Sequence, residues 1–179
     1  VLHTFTYCNA LHQALRRSPS PELARGIVHG ALRLYLDRFL NMPAAHLPGD
    51  RDVVGLPEEA NALRDRLLDA MDQQQRVAEA ARLVYQYQAR GHEIAPLLAT
   101  LGQGLLREDA EFHSYQMYEA AVRQHGQLRA DRPAHARIVL VAAARYLAAH
   151  APTARAMLQT ARIGLRLHRG DDLTQDESE

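Results

Sequence analysis

The sequence predicts an all-α protein, an irregular bundle of about seven or eight helices built from antiparallel hairpins. Apolar residues recur at three- and four-residue spacing through almost the whole chain, and no alternating, strand-like run interrupts them. Proline and glycine fall where they cut this pattern into segments of helix length. With 47% hydrophobic residues in 179, the chain carries enough apolar mass to close a core.

The first helix is expected from about Leu2 to Arg17, because Pro19 and Pro21 in SPSP cannot continue it. Ser20 suits the N-cap of a second helix, with Pro21 at its first position and Glu22 in its first turn. That helix carries Ile27, Ala31, Leu34, Tyr35 and Phe39 as an apolar stripe and is expected to end near Asn41. MPAAHLPGDRDVVGLP then reads as a loop. A third helix begins near Pro57, with Glu58 and Glu59 where the dipole favours them, and a break is expected around Asp72. The fourth reaches Arg90 and is capped by Gly91. The remaining segments are Glu93 to Arg107, Glu108 to Gln127, Pro133 to His150 and Pro152 to His168. These elements imply a hairpin over 1–41, a Pro/Gly loop over 42–57, a bundle over 58–169 that packs on the hairpin as one domain, and an acidic, frayed tail over 170–179.

Composition excludes several functions. Basic and acidic residues number 21 each and the pI is near 7.3, so no positive excess serves nucleic acid or an anionic membrane surface. No apolar run approaches the roughly 18–20 residues that cross a bilayer. The chain opens on Val1 without a signal-peptide pattern, which leaves room for an upstream segment. One cysteine supplies neither an internal disulfide nor a cysteine-based zinc or iron–sulfur site, so a reducing, cytoplasmic setting is expected. There is no lysine, hence no Walker A loop and no Schiff-base or pyridoxal chemistry. An Ala/Arg/Leu-rich chain without lysine also points to a GC-rich bacterial genome.

Ten histidines raise the question of metal. No His-x-x-x-His, Glu-x-x-His or His-Glu-x-x-His occurs, so no helix carries a preformed ligand pair, and neither a metal nor a cofactor is expected. Two polar segments remain. In HTFTYCNALH, His3, Thr6, Tyr7 and Ala10 share one helical stripe. In LLREDAEFHSYQMYEAAVRQH, Asp109, His113 and Gln116 share another, which would let Asp109 orient His113 as a general base. Gly26 and Gly30 flank His29, and Gly102 and Gly104 lie in a later helix; each pair serves either close helix contact or a ligand. For both polar segments a satisfied packing seam competes with a site.

The stretches HTFTYCNALHQALRRSPSPEL with YLDRFLN, and LLREDAEFHSYQMYEAAVRQ with AARYLAAHAPTARAMLQTARIGLRLHRG, resemble a helical region of bacterial proteins labelled as Rieske (2Fe–2S) proteins, which a Rieske domain accompanies. The paired Cys-x-His and Cys-x-x-His ligands of that domain are absent. The resemblance therefore implies a helical part that binds no cluster itself. The His-then-Ala-Leu helix start is also similar to questin-oxidase-like proteins, which are helical oxygenases.

The expected function is thus a non-catalytic docking or scaffold domain of a bacterial redox-associated protein. Its partner would be another protein or another domain of the same protein, with homo-oligomerisation left open. The alternative is an oxygenase-like enzyme with a pocket between the first, second and sixth helices. There His113 would be the base, Asp109 its orienter, and His3, Tyr7, His29 and Gln116 the lining. Whether the chain is an enzyme stays open at this point. A cavity above about 300 Å³ where these side chains converge would favour a pocket, and a dry seam would favour the scaffold.

Overall fold

The computed structural model describes residues 2–40 and 45–171. Among them the chain is helical with no strand: α1 (Leu2–Arg17), α2 (Pro21–Asp37), α3 (Ala60–Met71), α4 (Val77–Ala89), α5 (Ile94–Leu106), α6 (Phe112–Leu128), α7 (Pro133–Ala149) and α8 (Ala156–Arg169), with a short 3-10 turn at Asp50–Val53. The all-α bundle read from the sequence is therefore correct.

The helices stack in the order α2, α1, α6, α7, α4, α3, with α5 closing one side. At the centre, small residues on α4 and α7 (Ala80, Ala81, Ala144 and Ala148) let the two backbones approach, while Leu83, Val84, Leu140 and Val141 fill the space between. Leu63, Leu67 and Met71 of α3 and Leu97, Leu101 and Leu105 of α5 complete a core in which nearly every side chain is fully buried. A second cluster of Met117, Ala121 and Ala143 joins α6 to α7, and Leu2 and Phe5 of α1 rest against it. The α1–α2 hairpin thus rides on α6 alone among the helices.

Local signals acted as expected at several ends. Ser20 caps α2, its hydroxyl accepting from the Leu23 N–H at 3.2 Å. Gly91, at φ 73°, ends α4. Asp72 closes α3 at the expected break. Three starts differ. Helix α3 begins at Ala60 rather than Pro57, with Glu58 tied to Arg90 and His92; α6 begins at Phe112 rather than Glu108, and α8 at Ala156 rather than Pro152. In each case long-range polar bonds hold the preceding residues out of the helix. The expected loop over 42–57 is not wholly irregular: Val53 is buried, and the Tyr85 hydroxyl donates to Asp50 at 3.0 Å. Residues 41–44 and the tail beyond Asp171 lie outside the described residues. No described helix is long and apolar enough to cross a membrane.

Helices α2 and α8 stand apart. The expected apolar stripe of α2 does not enter the core. Gly26 and Gly30 face α1 instead, and Val28, Leu34 and Phe39 are 70%, 67% and 65% exposed. Helix α8 buries none of its residues and packs on no other helix among the described residues.

Candidate functional site: a groove between three helices

Helix α1 lies antiparallel to α2 and side by side with α6, and its polar stripe faces the gap between them. On its inner side most polar groups are satisfied, the Gln13 amide nitrogen excepted. Thr4 donates to Asp37 at 2.7 Å, Tyr7 to the Gly26 carbonyl at 3.0 Å, and Asn9 to Glu119 at 3.0 Å while accepting from Gln124 at 2.8 Å. Glycine at position 26 is what admits the tyrosine: a Cβ there would meet the Tyr7 hydroxyl at 3.1 Å and Leu11 at 2.8 Å. The bland explanation of the α2 glycines, close helix approach, holds. It holds for α5 as well, where a Cβ on Gly104 would lie 2.6 Å from the Met71 sulfur.

The groove is lined where these satisfied contacts stop. It has a volume of about 840 Å³ and is open to solvent. Five residues expected to line a pocket converge on it: His3 and Tyr7 from α1, His29 from α2, and His113 and Gln116 from α6. The His3 and His113 rings meet edge to face at 4.9 Å, and Phe112 lies against His113 at 3.9 Å. The Nδ1 of His113 is enclosed and has no hydrogen-bond partner among the described residues.

Asp109 does not join them. The i, i+4 pairing with His113 requires both residues in one helix, and Asp109 precedes α6. Its carboxylate accepts from the Ala156 N–H at 2.7 Å and the Met157 N–H at 2.8 Å, covering two donors that the start of α8 leaves open. Beside it, buried Glu108 accepts from Thr153 N at 2.7 Å, Thr153 Oγ1 at 2.8 Å and Arg155 Nη2 at 2.7 Å. Burial pushes the Glu108 carboxyl up, but the bonds from Arg155 and Thr153 outweigh it and hold the group below the usual carboxylate range. Arg155 also pairs with Asp72. This network anchors α8, and the expected base–orienter pair is not formed.

Four contributors to the groove were missed in the sequence: Leu32, Arg33 and Leu36 of α2, and Phe112. Arg33 and Leu36 stand four and seven residues after His29, so the face of His29 could have found them. No Asp or Glu lines the groove, and Arg33 has no ion-pair partner among the described residues. No group of three or more His, Cys, Asp or Glu side chains suited to a metal ion occurs among the described residues. Cys8 is exposed, with its sulfur 3.5 Å from where a Cβ on Gly30 would be.

No family model, curated protein or solved structure matches the chain. The Rieske-associated and questin-oxidase-like resemblances rest on the quoted stretches alone.

Proposed function

We propose that the protein acts by binding, and that the groove between α1, α2 and α6 takes a small organic acid with a flat apolar body. The observation that carries this is the make-up of the lining: three imidazoles and the Arg33 guanidinium around apolar walls, with no carboxylate. The volume is that of a small-molecule site. A guanidinium without an internal partner can take a carboxylate in a bidentate pair. Phe112, His113 and His3 offer ring faces and edges to an aromatic body.

Calorimetric titration of the chain with naphthoate, against naphthalenemethanol as its neutral counterpart, tests this. The acid should bind about tenfold or more tightly than the alcohol, the ratio given by one charge-assisted hydrogen bond. Arg33→Ala should remove the difference. Equal binding of the two, or no binding of either, would refute the reading.

A second reading, the docking or scaffold role beside a redox partner, is supported by a separate observation: the exposed apolar stripe of α2. An oxygenase-like use of the groove would rest on the imidazoles alone, since Asp109 caps α8. General-base chemistry at His113 would then lack the carboxylate that sets its tautomer.

A further inference from the structure

Three of the residues that line the groove have a second cleft behind them. Tyr7, Ala10 and His29 also border a space of about 540 Å³ farther along the same α1–α2 seam. Its other walls include Leu11 and Ala14 of α1 and Leu23 and Gly26 of α2, with exposed Glu22 and Arg25 beside them. The two spaces therefore share one wall.

The Tyr7 ring is the bulk of that wall, and it is held in place. Its hydroxyl donates to the Gly26 carbonyl at 3.0 Å. Its edge passes Gly30, where a Cβ would stand 3.5 Å from the ring. The ring thus lies along α2 across the seam. Ala10 adds only a methyl group and His29 is exposed, so the ring is the main obstacle between the two spaces.

The two sides differ in charge. In the groove Arg33 stands without a carboxylate, whereas Glu22 and Arg25 together leave the second cleft without net charge. The second cleft is therefore suited to the apolar body of a ligand rather than to its acid group. Length matters as well. Along α2 the groove reaches from His29 to Leu36, about 10 Å at the rise of a helix. The second cleft continues to Glu22, so the joined space would run about 21 Å.

We infer that Tyr7 is the specificity-determining residue of the groove. Its ring keeps the flat body of the ligand on the side of Phe112 and His113, and it sets the greatest length that the groove accepts. This rests on the reading of the groove as a site for an organic acid and adds what limits that acid. With the ring removed, a body too long for the groove runs past position 7 into the space beside Leu11, Ala14 and Leu23.

The test is calorimetric binding of naphthoate and of the longer, three-ring terphenylcarboxylate to the intact chain and its variants. Wild type should favour naphthoate. Tyr7→Ala should shift the ratio of the two affinities toward the longer acid by about tenfold or more, the gain from burying the added ring. Tyr7→Phe keeps the ring and should keep the wild-type ratio. Ala14 borders only the second cleft, so adding Ala14→Phe to Tyr7→Ala should take the gain away. Tyr7 is 40% exposed, so the fold should survive its loss. Circular dichroism checks this, and Tyr7→Leu replaces Tyr7→Ala if helix is lost. An unchanged ratio in the variant, or equal binding of both acids by wild type, would overturn Tyr7 as the limit while leaving the acid site standing. A gain that survives Ala14→Phe would overturn the second cleft as the place of the longer body. No binding of naphthoate by wild type would overturn both readings.

Discussion

His113 packs its ring between Phe112 and His3 while its enclosed Nδ1 goes without a hydrogen bond. A phenylalanine there keeps the ring contacts and removes the stranded polar atom, so His113→Phe should raise stability by about 1 kcal/mol, read as a higher melting temperature. A lower one would mean that Nδ1 has a partner. His3 is exposed, so His3→Ala should change stability by no more than about 0.5 kcal/mol. A fully satisfied seam would instead have made both histidines costly to remove. The stretch HTFTYCNALH is a seam at Thr4 and Asn9, groove lining at His3, and both at Tyr7, a division that residue types alone do not reveal. Acid should weaken the fold in two stages. Burial, helped by nearby Arg129, holds the His125 imidazole below its ordinary 6.5, so the unfolded chain takes up that proton first. Stability should be complete above about pH 6.5 and fall as pH drops through and below it. Glu108 sits below its ordinary 4.5, so its contribution is complete above that value and lost at lower pH. Melting temperature against pH should therefore lose its first stage in His125→Asn and its second in Glu108→Gln.

At the scale of elements, periodicity placed the helices and misjudged which way one of them faces. The α2 stripe reads like a face that packs, but the helix's glycines let Tyr7 and Leu11 of α1 approach closely on another side. Small-residue contact won, and the stripe was left outside. Nothing local could reveal this, because either face of α2 makes a regular helix. The early start given to α6 has a similar cause. The Asp109 N–H donates to Thr153 at 2.8 Å and Glu108 binds the same residue, and contacts 44 and 45 positions apart leave no mark on local spacing. The glycines themselves can be told apart by substitution. A Cβ on Gly30 would meet only ordinary contacts at 3.5 Å, so Gly30→Ala should be neutral or stabilising by up to about 1 kcal/mol through helix propensity. On Gly104 it would press into the Met71 sulfur inside a filled core, and Gly104→Ala should cost about 1–3 kcal/mol. Thermal unfolding of the two variants should move in different directions.

Across the whole molecule, a closed core of α3, α4, α5 and α7 carries a more open hairpin on α6. The fold class was legible because hydrophobic period and Pro/Gly punctuation act locally. Much of the groove was legible too, since His3, Tyr7, His113 and Gln116 lie on stripes that the sequence alone defines. His29 of α2 was named as lining as well; what was missed is that the same face adds Leu32, Arg33 and Leu36, and that Phe112 joins from α6. The core supplies rigidity, and the groove, built on its edge, supplies exposed donors without acceptor carboxylates. This division of labour can be read residue by residue in a heteronuclear NMR titration of the chain with naphthoate. Saturable shifts should be confined to α1, α2 and the first turns of α6, with Arg33 and the imidazoles of His3, His29 and His113 moving most. Absence of saturable shifts, or shifts centred on the small cleft beside Glu108 and His150, would contradict it.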